Sequence, residues 1–336
     1  MRPMTSLCLS LCFSLLTLAC GDKDDGGGTN TPPVTSPGSW REVAPIEGGP
    51  RQEHGVAALD GKIYVVAGVN PANTARISVY DPQTDSWSQA APIPMPMNHP
   101  NVAAAGGKLY VIGGMVSDLP WYAVGNVYEY DPQTNTWTEL APMPAGTERG
   151  SAAVGVSGTK IYLAGGLRSL APDFQDTVAT FSSYDVVTGT WETLPDLPEP
   201  RDHVGGAVVD GTFYVLGGRA NGVENVKGTV FAYDISAGTW SARAPLPTPR
   251  GGVATASIGK KIYVIGGEGN PAPGSQGVYG DNEVYDTETN TWAVLAPMLT
   301  PRHGTGAAAV GSTVYVPGGA SQTRLGPIVS VEAFTP

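Results

Sequence analysis

The feature that most constrains this chain is a repeat. At intervals of about fifty residues the sequence returns to one pattern: an apolar run ending in small residues, a Tyr-Asp step, then a Trp before a proline. One copy reads GKIYVVAG (Gly61 to Gly68) and SVYDPQTDSWSQAAPIP (Ser78 to Pro94); the next reads GKLYVIGG (Gly107 to Gly114) and EYDPQTNTWTELAPMP (Glu129 to Pro144). Further copies carry KIYLAGG, TFYVLGG, KIYVIGG (Lys261 to Gly267) and TVYVPGG (Thr313 to Gly319), after which the chain closes on EAFTP. Length alone, 336 residues, would suggest two domains, but repeated closed β architectures override that prior. The 45 Gly and 30 Pro recur between the apolar runs instead of clumping, which marks many short strands joined by tight turns.

Tyr64, Tyr110, Tyr162, Tyr214, Tyr263 and Tyr315 occupy one site in each copy, and Trp87, Trp137, Trp191, Trp240 and Trp292 another. Each copy reads as four short strands, and a four-stranded sheet cannot bury both faces alone. Radial stacking buries these aromatics between neighbours and shields the strand edges. They are expected as core, not as a cofactor box. The apolar run ending in Gly-Gly, the Tyr-Asp and the Trp resemble the kelch-repeat family across nearly all of residues 39–336, with Ala67 and Phe334 as small departures. The expected fold is therefore all-β, a six-bladed kelch-like β-propeller. The sixth copy lacks its Trp strand, yet Ser39 to Ile46 copies the pattern of Ser86 to Ile93. The N-terminal strand is expected to complete the last blade and latch the ring.

Cys8, Cys12 and Cys20 all precede this body, which therefore has no disulfide, no Cys-based metal site and no thiol nucleophile. Residues 1–20 place Arg2 before an apolar run from about Leu7 to Leu18, the layout of a signal peptide and too short to span a bilayer. Leu16 to Cys20 resembles a bacterial lipobox, with Thr17 where that family usually has Leu. The resemblance implies lipidation at Cys20 and, with Gly21 following, sorting to the outer membrane, facing the periplasm or the surface. Residues 21–38 have Val34 as their one aliphatic residue and are expected to be a flexible linker. Export with a lipid anchor at the cell envelope, a monomeric body and membrane contact through the anchor only are the expectations.

A net charge of −11 without a basic tract excludes nucleic acid as a partner. Numbering strands a to d from the axis outward, the d–a and b–c connections share one face. Its b–c loops vary in length, as binding loops on a rigid scaffold do. They carry Trp121, Tyr122, Phe174 and the arginines Arg76, Arg168, Arg219 and Arg324. Trp121 beside Tyr122 is a candidate stacking platform; the competing reading is local core. Thirteen residues before each repeated Tyr stand Arg51, Met97, Arg149, Arg201, Arg250 and Arg302. This ring of cations would suit a carboxylate or an acidic peptide, or, as the resemblance implies, bonds loop carbonyls. Arg201 and Arg302, beside His203 and His303, are the foremost candidates for binding.

The four histidines, His54, His99, His203 and His303, all fall in the d–a region but at differing offsets. No metal-ligand spacing is visible, and neither a metal nor another cofactor is expected. Turn residues such as Asp81 to Asp85 serve turn geometry, without a repeated calcium loop. Galactose-oxidase-type chemistry needs a Tyr–Cys crosslink that this body cannot make. The leading functional expectation is a non-enzymatic binding or scaffolding module recognising a protein or glycan through the loop-rich face. The alternative is a periplasmic sugar mutarotase or epimerase of the sialic-acid type, with Glu53, Glu148 or Glu199 as acid or base.

Overall fold

The structure, a computed structural model, describes residues 37–336. The signal peptide, Cys20 and most of the linker lie outside the described residues. All regular structure here is strand, arranged in six sheets. Blade 1 comprises Gly55–Leu59, Lys62–Val66, Ile77–Asp81 and Ser86–Ala90; blade 2, Asn101–Ala105, Lys108–Val116, Trp121–Asp131 and Thr136–Leu140. Blade 3 comprises Ala153–Ser157, Lys160–Ala164, Phe181–Asp185 and Thr190–Leu194; blade 4, Gly205–Val209, Thr212–Leu216, Val230–Asp234 and Thr239–Arg243. Blade 5 comprises Ala254–Ile258, Lys261–Ile265, Asn282–Asp286 and Thr291–Val294. The a strands of consecutive blades touch in cyclic order, and that of blade 6, Ala308–Val310, returns to that of blade 1. The sheets thus form a closed six-bladed propeller.

Closure follows the sequence reading. Ser39–Val43 adds to Thr313–Pro317 and Val331–Thr335 as the outer strand of blade 6, pairing antiparallel with Val331–Thr335 so that Trp40 faces Phe334. Beyond that strand, the Ile46 amide donates to Val329 O at 2.8 Å, and the Ala44 amide to Asp85 Oδ1 of blade 1 at 2.9 Å. One segment therefore ties blade 6 to itself and to the blade beside it.

Burial explains the strand sequences. Strand b is packed on both faces, so Lys62–Val66 and its counterparts read as nearly unbroken buried runs containing the repeated Tyr. Strand d lies at the rim, one face on the neighbouring blade and one toward solvent, and alternates accordingly. The tryptophans belong to the core as expected, but at its edge: among the repeated ones only Trp292 is buried, the rest being half-buried and packed against the buried clusters. Four of their five indole N–H groups reach back to the preceding blade, Trp87 to Ala44 O, Trp137 to Ala91 O and Trp240 to Pro195 O at 2.8 Å and Trp292 to Ala244 O at 2.9 Å, while that of Trp191 has no partner. A rim Trp can bury its ring and keep its donor satisfied in this way.

Two blades carry more than four strands' worth of structure. The b–c hairpin of blade 2 is long, and that of blade 3 adds two strands, Leu167–Ala171 and Phe174–Thr177. Leu167–Ala171 pairs with the blade 2 hairpin, Leu170 opposite Trp121 and Ser169 opposite Tyr122. The result is a small raised sheet on the loop-rich face.

Candidate functional site

The arginine ring is framework. Arg51, Arg149, Arg201, Arg250 and Arg302 are each 0% exposed, and their guanidinium groups are turned into the blade rather than toward a ligand. Arg149 Nη2 donates to Leu163 O and Arg250 Nη2 to Val264 O, each at 2.9 Å, and Arg51 Nη2 to Val65 O at 3.0 Å. Arg201 and Arg302 follow the same plan, donating from Nη1 to Gly217 O and Gly318 O at 3.0 Å. Arg201, Arg250 and Arg302 thereby hold the carbonyl of the first glycine at the Gly-Gly bend, and Arg51 and Arg149 a carbonyl of strand b beside it. The expected capture of a carboxylate or acidic peptide by these five is corrected: a fork used on buried carbonyls has no free face. The competing reading, carbonyl bonding, is the one the geometry displays.

Two residues further along, the chain turns into strand a, and here the molecule gathers its polar chemistry. Glu53, His99, Ser151, His203, Gly252 and Gly304 occupy equivalent positions, all with φ between 48 and 64°. This left-handed backbone is costly for residues other than glycine. What holds it is a ring of backbone bonds about the axis: Glu53 N to Gly304 O at 2.6 Å, His99 N to Glu53 O at 2.7 Å, and Ser151 N to His99 O at 3.0 Å. His203 N to Ser151 O at 3.1 Å and Gly252 N to His203 O at 2.7 Å continue it. Five of the six blade entries are thus pinned to the one before.

The side chains of that ring converge. His99 Nε2 lies 2.9 Å from His203 Nε2 and 3.0 Å from Glu53 Oε2. Arg219 enters from the b–c loop of blade 4 and bonds Glu268 Oε1 at 2.6 Å, Asp202 Oδ1 at 3.3 Å and His203 Nε2 at 3.0 Å. His303 Nδ1 faces Glu268 Oε2 at 3.4 Å and Glu53 Oε1 at 3.9 Å. All seven residues are between 0 and 8% exposed. Space for the Glu53 carboxylate comes from Gly304, where a Cβ would stand 2.7 Å from Oε1.

Burial alone would raise the Glu53 carboxyl, but His99 first, then His203 and His303, hold it well below the ordinary carboxylate range. Burial likewise opposes ionisation of Asp202, which His203 and Arg219 more than offset, and of Glu268, where Arg219 dominates. The His203 imidazole is pushed down, by burial and then by the Arg219 charge. On the axial side the cluster floors a channel of about 460 Å³ walled by strand a residues, among them Val56, Val154, Val208 and Ala309. Those wall residues are half-buried while the floor is buried, so the channel opens toward solvent away from the cluster.

His99, His203 and His303 were legible together as d–a histidines; Glu53 was named only as an acid or base and Arg219 only as a loop arginine, and Asp202 and Glu268 were not joined to them. The missed signal was available: Glu53, His99 and His203 all stand eleven residues before the repeated Tyr of their blades. Differing offsets hold only for His54, which bonds Pro317 O at 3.0 Å, and His303. Glu148 and Glu199 lie apart, on the Gly146 amide and on Arg201 respectively.

The raised sheet on the loop-rich face is the second place of interest. Trp121 turns inward, its ring 5.3 Å from that of His99, so it roofs the axial cluster and is part local core. Tyr122 turns outward at 53% exposure, with Leu119 at 49% and Phe174 at 61% on the same sheet and its turns. Of the loop arginines, Arg168 is held by Asp176 at 2.8 Å and Arg76 bonds Gly49 O at 3.1 Å.

A family model described as the KLHDC2/KLHL20/DRC7 Kelch-repeats domain matches residues 34–166 and 148–319. The chain is 39% identical to Kelch-like protein terF of Aspergillus terreus over 346 aligned residues, 99% of this chain and 74% of that one. It is 32% identical to N-acetylneuraminate epimerase of Pasteurella multocida over 103 residues, 26% of this chain and 27% of the epimerase. The solved structure of YjhT superposes with a TM-score of 0.73 at 17% identity, covering 86% of this chain and 96% of that one, a likeness of fold.

Proposed function

We propose that this chain, which belongs to the kelch-repeat β-propeller family, works as a binding module tethered at the cell envelope and recognises a partner protein through its loop-rich face. The observation that carries this is the raised sheet. Leu119, Tyr122 and Phe174 are large and exposed together on a four-strand platform, whereas the other b–c connections of that face carry no regular strand. Exposed aromatics on a rigid support are what interface centres are made of. The tether rests on the sequence alone, on the lipobox-like Leu16 to Cys20 and the linker after it. Changing Cys20 to Ala is expected to move the protein from the membrane to the soluble fraction.

The test places a photo-crosslinking residue at Tyr122 or Phe174, and for comparison at Val187, which is 75% exposed at a c–d turn. A partner crosslinked from the first two positions, and bound by the purified protein but not by Tyr122→Ser/Phe174→Ser, supports the reading. Equal labelling from Val187, or binding untouched by the double change, overturns it.

A second reading is a sugar mutarotase or epimerase of the sialic-acid type. In its favour are the stretch similar to N-acetylneuraminate epimerase and the acid–base pair Glu53 and His99 at the floor of a channel. Against it, the axial groups already bond one another and offer little surface. Anomer exchange of N-acetylneuraminate, followed by NMR with and without the protein, decides: acceleration lost on Glu53→Gln would install the enzyme reading in place of the binding one.

A further inference from the structure

The axial cluster presents an unsolved problem of charge and lone pairs. Its carboxylates Glu53, Asp202 and Glu268 number three against one guanidinium, Arg219, so the balancing positive charge has to come from the histidines or from a bound cation. Burying even one unpaired charge is expensive. The histidines compound this. Each has one ring nitrogen facing an acceptor outside the centre: His99 Nδ1 to Asn98 Oδ1, His203 Nδ1 to Asp202 Oδ1 at 2.6 Å, and His303 Nε2 to Gln322 O at 2.9 Å. A carbonyl or carboxylate accepts, so each of these nitrogens carries the proton. In the neutral imidazole the other nitrogen is then a bare lone pair. All three of these nitrogens turn inward, toward Glu53, Glu268 and each other, and His203 Nε2 meets a donor there, Arg219 Nη2 at 3.0 Å. His303 Nδ1 is buried without any hydrogen-bond partner.

We propose that the axis is a binding site for one divalent first-row transition cation of the zinc class, held by Glu53, His99 and His203, with His303 Nδ1, 3.9 Å from Glu53 Oε1, on the same side of the cluster. One oxygen of Glu53 and one nitrogen of each of the two histidines lie within 4.8 Å of one another. Two atoms bound to one tetrahedral zinc stand about 3.3 Å apart for bonds of about 2.0–2.1 Å. The observed 2.9 and 3.0 Å require only a few tenths of an ångström of opening. A dication also supplies positive charge beside three carboxylates and one guanidinium. Imidazole and carboxylate donors suit zinc, cobalt and nickel rather than magnesium or calcium. The Asp202–His203 bond is the carboxylate–histidine support that zinc ligands characteristically have. Arg219 must give up its contact with His203 Nε2, but it keeps Glu268 and Asp202. The channel supplies the entry path. Blades 1, 2 and 4 would then be bonded through one ion.

The experiment uses the full chain, freed of any affinity tag and dialysed against a chelator, titrated with Zn²⁺ by calorimetry and with Co²⁺ by visible absorption. One equivalent bound per chain, with the intense bands of four-coordinate Co²⁺, is expected. His99→Gln and His203→Gln should each weaken binding by at least about 100-fold and Asp202→Asn by roughly 10–100-fold, whereas Cys20→Ser should change nothing. If the histidine variants fail to fold, the wild-type melting temperature serves instead, rising with Zn²⁺ and not with Mg²⁺. Less than one equivalent bound, binding indifferent to both histidines, or no thermal response to Zn²⁺ would show a cluster that resolves its charge by sharing protons, and the proposal would fall.

Discussion

Arg302→Met separates a framework arginine from a ligand-binding one and has a magnitude that can be worked out. Arg302 donates to Thr300 O at 3.1 Å, Gly318 O at 3.0 Å and Ser330 O at 2.8 Å, and its Nη2 meets the Glu332 carboxylate. Glu332 is itself 0% exposed and also accepts the Leu299 and Thr300 amides at 2.9 and 3.0 Å. Methionine fills most of the volume but strands that carboxylate. Breaking a buried pair from one side costs about 3–5 kcal/mol, which for some 300 ordered residues is a fall in Tm of roughly 5–8 °C. Arg51 is the internal comparison. It too bonds buried carbonyls, Arg76 O and Val65 O, but has no carboxylate partner, and burial followed by the Arg76 charge lowers it to about 9. Arg51→Met loses hydrogen bonds yet also removes an unpaired buried charge, so it should cost about 2 kcal/mol less than Arg302→Met. Adding Glu332→Gln to Arg302→Met should recover about 1–2 kcal/mol by neutralising the stranded group. Urea titration with matched m-values and calorimetric Tm read all four proteins. If Arg302→Met melts like wild type, or is no worse than Arg51→Met, or is not rescued, the framework reading is wrong.

Deleting residues 39–46 removes the outer strand of blade 6 and its bond to Asp85, and is expected to abolish cooperative melting; an unchanged Tm would refute the latch. Phe213, 0% exposed and stacked on Phe181 at 5.6 Å between blades 3 and 4, should cost about 3–5 kcal/mol when cut to Ala, measured by urea midpoint. Gly304→Ala puts a methyl 2.7 Å from Glu53 Oε1 at a φ of 64°. It should lower stability by about 1–3 kcal/mol, and a neutral result would mean the Glu53 carboxylate is free to move.

The blade count, the strand order and the latch were legible because each is a repeated pattern: Trp40 before Pro45 is recognisable as Trp87 before Pro92 displaced to the wrong end of the chain. Packing that repeats with the pattern can be read from it. The arginine at five of six positions was equally visible, but its meaning was not, since exposure and burial of a cation look alike in sequence. Only the structure displays that the bends at Gly217 and Gly318 leave carbonyls needing Arg201 and Arg302. The raised sheet was half legible: Trp121 and Tyr122 stood out as off-pattern, but which of them faced water depended on the pairing of Leu170 and Ser169 across from them.

The axial cluster shows why a closed ring hides its chemistry from a linear reading. Glu53 and His203 are 150 residues apart in sequence, yet the propeller sets equivalent positions of different blades side by side at its axis. A charge at that position therefore faces five counterparts, and it persists only if they are complementary or small. Both conditions are met here. Gly252 and Gly304 leave room, a Cβ on Gly252 coming within 3.2 Å of Glu268 Oε1 just as one on Gly304 would crowd Glu53. His99 and His203 bring ring nitrogens and Arg219 a guanidinium to the carboxylates, and the left-handed backbone that suits glycine is imposed on Glu53, His99 and His203 as well. Strained backbone carrying convergent ionisable groups is the arrangement by which folds hold a ligand in place. In a propeller the informative quantity is the offset of each residue from its own blade's Tyr, because residues that share an offset share the axis.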